Sequence, residues 1–104
     1  MKLRGFAVKL KAGCEAEYRR RHEALWPELA ALLRQSGTSD YAIFLDTSTG
    51  TLFAVQKVGP GHDPAVLRSH PVMRRWWDYM ADLMEVHPDH APVERELELM
   101  FYLP

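Results

Sequence analysis

Tyr18 and His22 stand four residues apart in a segment rich in Ala, Glu, Arg and Leu, and Trp76 and Trp77 stand side by side in "RRWWDYM" (74–80). Residues i and i+4 of a helix share a face, so a phenol and an imidazole would project together from the first segment. Imidazole titrates near neutrality and can both give and take a proton. Flat indole faces stack on the C–H face of a pyranose, while phenol and imidazole hydrogen-bond to its hydroxyls. Tyr41, the first residue of "YAIFLD" (41–46), adds a further hydroxyl from a strand. Such a set fits proton exchange at a ring oxygen or an anomeric hydroxyl. The same residues also serve ordinary packing: a histidine on an apolar helix face, a strand aromatic, and indoles filling space beside flexible methionines. At this level both readings stand.

A helical wheel shows how adjacent tryptophans can share one site. With Met73 at 0° and about 100° per residue, Trp77 falls near about 40°, Met80 near about -20° and Trp76 near about -60°, whereas Arg74, Arg75, Asp78, Asp82 and Glu85 fall at roughly 100–200°. Both indoles therefore flank the midline of the inward stripe. The equivalent wheel for the first segment puts Tyr18, His22, Leu25 and Leu29 on one stripe and turns Arg19 and Arg20 away from it.

These side chains must be positioned by a small chain. The 104 residues, 47% hydrophobic and 26% charged, have the size and balance of one globular domain spanning 1–104. A net charge of -1 supplies no basic field for phosphates, which argues against nucleic-acid binding. Cys14 is the only cysteine, so neither a disulfide framework nor a multi-cysteine metal site is available, and a reducing compartment fits best. No run of apolar residues is long enough to span a bilayer, and the N-terminal stretch lacks a signal-type apolar core. The expectation is a soluble cytoplasmic protein.

Residues 3–10, "LRGFAVKL", alternate as a strand does, and the segment from Cys14 to about Ser36 reads as the longest helix, stopped by Gly37 and kinked or broken near Trp26 by Pro27. "YAIFLD" (41–46) and "TLFAVQKV" (51–58) form a hairpin through "TSTG", and "GPGHDP" (59–64) is a loop. A short helical piece at 65–69 precedes a second main helix from Pro71 to about Glu85, and "LELMFYL" (97–103) reads as the last strand. The order βαββαβ predicts an α+β, ferredoxin-like fold: an antiparallel sheet with both main helices on one face. Its strands are apolar on both faces, which predicts a second copy against the uncovered face and hence a homodimer.

Other signals carry less. "RRRH" (19–22) reads as a solvated charged face. "HPDH" (87–90), with His62 and His70, lies in a proline-rich loop without a second ligand cluster, so no metal is expected. Cys14 has no base placed beside it by spacing. Nucleotide-binding and serine-hydrolase motifs are absent.

"EYRRRHEALWPEL" (17–29), "YAIFLD", "RRWWDYM" and the terminal "FYLP" (101–104) together resemble the L-rhamnose mutarotase family over nearly the whole chain. The combination of H-x-x-x-W-P-E with a later W-W-x-Y-M is what makes the resemblance specific. It implies a dimeric α/β-barrel type of ferredoxin-like fold and cofactor-free interconversion of the α and β anomers of L-rhamnose. It also implies His22 as proton donor and Tyr18, Tyr41, Trp76 and Trp77 as sugar-binding residues. Two readings from other classes stay open: a related dimer acting as an isomerase or oxygenase on another small molecule, and a noncatalytic sugar-binding dimer.

Overall fold

Alternation along the first strand sets the frame. In the computed structural model, which describes residues 1–104, β1 (Lys2–Lys9) sends Phe6 and Val8 to one face. Their partners across the ladder, Ala54 and Leu52 of β3 (Thr51–Val58), point the same way and are equally buried. β2 (Thr38–Asp46) pairs with the other edge of β3, and β4 (Arg95–Leu97) with the free edge of β1. The antiparallel order β2-β3-β1-β4 is the ferredoxin-like arrangement that the element order predicts.

The helices cover one face of this sheet. The predicted long helix is two: α1 (Glu15–Glu23) and α2 (Pro27–Gln35). Pro27 cannot donate to residue 23 and holds its predecessor extended; Trp26 has ψ 129°, and the proline becomes the first residue of α2. Gly37, at φ +95°, closes α2 in the left-handed region, as its position suggested. α3 (Pro64–Ser69) is short, and α4 (Pro71–Met80) starts from a proline under a cap in which His70 Nδ1 accepts from the Val72 amide. α4 ends at Met80 and not near Glu85. The chain beyond it turns onto the end of β1, where Lys11 donates to the Leu83 carbonyl and the Glu85 amide donates to Lys9. Phe6, Val8, Leu10, Leu29, Leu52, Trp76, Met80, Leu83 and Met84 make the core between sheet and helices.

The last strand is displaced and short. Pairing with β1 covers Arg95–Leu97, and residues 98–104 run on without a ladder partner. The apolar alternation of "LELMFYL" is real, but a strand needs an edge to bond with, and the chain offers none there. No helix is long and apolar enough to cross a membrane.

One irregularity matters for the site. Ser39 pairs with Lys57 and Ala42 with Val55, so two residues, Asp40 and Tyr41, stand opposite Gln56 alone. This is a β-bulge, and Asp40 adopts φ +46°, a left-handed conformation that aspartate tolerates better than most residues. By taking Asp40 out of the alternation, the bulge leaves Tyr41 on the helix-covered face, where its ring meets Phe6 edge-on at 6.4 Å.

Candidate active site

A cleft of about 1210 Å³ opens between the helices and the inner face of the sheet, and Tyr18, His22, Tyr41, Trp76 and Trp77 all line it. α1 supplies the first two on one face, since four residues make about one turn. The Tyr18 and His22 rings lie 4.3 Å apart between centroids, and the imidazole meets Trp76 edge-to-face at 5.4 Å. Trp76, only 7% exposed, is held further by Trp26 at 5.1 Å and Tyr79 at 5.7 Å. Trp77 is half-buried, with the Arg74 guanidinium 5.8 Å from its ring centroid.

Hydrogen bonding defines the state of the imidazole. His22 Nδ1 lies 3.0 Å from the Tyr18 carbonyl oxygen. A carbonyl can only accept, so Nδ1 carries a hydrogen and Nε2 is the atom left to exchange a proton. Burial draws the His22 pKa below its ordinary value, and the bond to Tyr18 opposes this in part. The phenols shift the other way. Burial raises Tyr18 well above the usual phenol range, with Tyr41 adding to it. Tyr41 keeps 41% of its surface accessible, yet desolvation and then Glu94 push its hydroxyl up to about 12, against Arg4. Near neutral pH both tyrosines keep their protons and can donate hydrogen bonds, while the histidine readily loses one.

The sheet adds a polar end to the cleft. Arg4 pairs with Glu94 at 2.7 Å and with Glu96, stacks 4.2 Å from the Phe6 ring centroid, and donates to the Gln56 side-chain oxygen at 3.3 Å. Gln56 is buried and borders the cleft. No side chain of this group stands out in a one-dimensional reading, because they come together only through the pairing of β1 with β3 and β4.

Two further residues escape the helical wheel. Trp26 sits at the break that Pro27 imposes, where it stacks on Tyr79 at 5.6 Å and supports Trp76. Arg21 lies within the supposedly solvated "RRRH" but is only 11% exposed in its side chain, tied to Glu17 and Asp82. Of the histidines of "HPDH", His90 pairs with Asp78 at 2.9 Å.

Residues 4–103 match the family model described as L-rhamnose mutarotase. The chain belongs to the L-rhamnose mutarotase family. L-rhamnose mutarotases from Burkholderia ambifaria and Flavobacterium johnsoniae are 58% and 52% identical to it over 94% of this chain, covering 94% and 92% of their own lengths. Among solved structures, the crystal structure of an L-rhamnose mutarotase from Formosa agariphila superimposes with a TM-score of 0.93 at 44% identity, with both chains fully covered. Fold and family therefore agree with the resemblance carried by the four sequence motifs.

Proposed function

We infer that this chain interconverts the α and β anomers of L-rhamnose by acid/base ring opening and closure, with His22 as the proton donor. The observation that carries the reading is the His22 Nδ1 hydrogen bond to the Tyr18 carbonyl, which leaves Nε2 facing proton exchange beside two protonated phenols and two indoles. In the opening step the imidazolium gives its Nε2 proton to the ring oxygen. The bond from that oxygen to the anomeric carbon breaks as the anomeric hydroxyl passes its proton to an ordered water. The open-chain aldehyde turns about the adjacent carbon–carbon bond. The freed hydroxyl then attacks the opposite carbonyl face, returns its proton to the neutral imidazole, and the carbonyl oxygen recovers a proton from the water relay. Each proton returns to its origin, so no cofactor is needed.

Tyr18 and Tyr41 act here as hydrogen-bond donors to sugar hydroxyls, since their raised pKa values keep the phenols neutral. Trp76 and Trp77 offer the stacking surface. Anomer exchange of L-rhamnose measured by saturation-transfer NMR, alongside a small panel of other aldoses, tests this reading. Faster exchange with rhamnose than with its epimers is expected; tryptophan fluorescence quenched by rhamnose without faster exchange would make the protein a sugar binder only.

A homodimer belongs to the same proposal. Phe44, Val55 and Leu97 crowd the outer face of the sheet, Phe44 being 66% exposed, and the apolar tail from Leu99 to Leu103 is exposed throughout. Leu3, Gly5, Val55, Leu97, Leu99 and Phe101 border a groove there of about 1620 Å³. A second copy of the same face is the occupant, because the exposed side chains of this face are apolar and self-complementary burial is what a two-fold interface supplies. Sedimentation at micromolar concentration should show about twice 12.0 kDa. The lone Cys14 fits a reducing cytoplasm.

A further inference from the structure

α1 carries Tyr18 and His22, yet none of its residues is fully buried. A helix of nine residues is marginal on its own and needs tertiary contacts to hold it. Most of the polar contacts from α1 to α4 and the turn after it come from one side chain. Arg21 Nε donates to Glu17 at 2.7 Å within α1. Its Nη1 donates to the Tyr79 carbonyl at 2.6 Å and to Asp82 at 2.9 Å, and Nη2 donates to Asp82 at 3.2 Å. The guanidinium also lies 4.4 Å from the Tyr79 ring centroid. Tyr79 is in turn packed on Trp26 and Trp76.

We propose that Arg21 is a positioning residue for the anomerisation reaction: its clamp on Glu17, the Tyr79 carbonyl and Asp82 sets the seat of the adjacent His22 imidazole against Trp76. The proposal rests on the reading of His22 as the proton donor. Its chemistry needs arginine in particular. A planar fork can serve Glu17, a carbonyl and a carboxylate at fixed angles while stacking on a phenol ring; an ammonium keeps the charge but cannot hold all of these at once. The last carbonyls of α4 also favour a cation at that end. Arg20, by contrast, pairs only with Glu17 among the carboxylates and stays 63% exposed, so neighbouring arginines of one run have different tasks.

The test uses the full-length protein with Arg21→Lys, Asp82→Asn and, as a charge control, the exposed Arg75→Ala. Thermal melting establishes that each variant is folded. The His22 imidazole resonance, assigned by its loss in His22→Ala, is titrated by NMR without substrate, and kcat and KM for L-rhamnose exchange are measured separately. In Arg21→Lys the titration should move up toward the ordinary imidazole value as the ring loses its desolvated seat, and kcat should fall about tenfold or more with a smaller change in KM. Asp82→Asn should shift both readouts in the same direction by less, and Arg75→Ala should shift neither. An unmoved His22 titration and kcat in folded Arg21→Lys and Asp82→Asn would overturn the proposal. So would losses that only track the unfolded fraction. If Arg21→Lys does not fold, the Asp82→Asn titration decides alone. Full activity in His22→Ala would instead remove the donor reading, while the titration, which needs no turnover, would still report whether Arg21 seats the ring.

Discussion

α4 and α1 face each other across one cleft and are held by opposite means. α4 sinks Trp76 and Met80 into the core and presents Trp77 beside them, so its grip is apolar. α1 sinks nothing fully and is tied down by ion pairs and aromatic edges. The platform that would stack a sugar thus belongs to the better-buried helix, and the group that would move a proton belongs to the polar one. An imidazole that must change charge is better served by half-burial than by the core, where desolvation would hold it neutral.

The contrast predicts where each substitution should hurt. Trp76→Ala should cost about 3–5 kcal/mol of stability in chemical denaturation, the range for removing a large buried aromatic; Trp77→Ala, half-buried, should cost clearly less and mainly raise KM. Equal losses for the two would erase the distinction between anchor and platform. His22→Ala should reverse the pattern, with stability within about 1 kcal/mol of the parent and kcat lower by roughly 10² or more. The pH dependence is a smaller effect with a definite sign. Because burial lowers the His22 pKa, the enzyme-dependent exchange rate should fall as pH rises through a value below 6.5, the unperturbed value for histidine. A rate that rises through that window would assign His22 as base. Linkage adds that the unfolded chain binds this proton more readily, so stability should decline as pH drops below about 6.5, and melting of His22→Gln should lose that part of the slope. Smallest of all, Asp40→Gly should change stability by no more than about 0.5 kcal/mol, whereas Asp40→Val, forced to a positive φ, should cost about 1–2 kcal/mol and raise KM through Tyr41.

Periodicity made much of this legible. Alternation located β1 and the hairpin strands, Pro27 announced the break in the first helical segment, and i, i+4 spacing brought Tyr18 beside His22. The wheel on α4 placed both tryptophans inward although the helix ends five residues sooner than expected. What escaped was long-range or irregular. Arg21 looks like Arg19 and Arg20 until Asp82 folds against it. The bulge has no glycine to mark it, and the grouping of Trp26 with Trp76 and Tyr79 depends on the direction the chain takes after Ala24. The tail's pattern could not reveal that residues 98–104 find no ladder partner.

The bulge at Asp40 and Tyr41 works as a parity change in the sequence. Before it the inward-facing position of β2 is even-numbered, Thr38; after it the inward residues are odd, Tyr41, Ile43 and Leu45. The bulge absorbs Asp40, and every position from Tyr41 to Asp46 owes its face to that absorption. A hairpin that kept Asp40 but ran through it as a regular ladder would present the pocket wall to the outside. A change of length in the turn between Asp46 and Thr51, beyond the last of these positions, has no such reach.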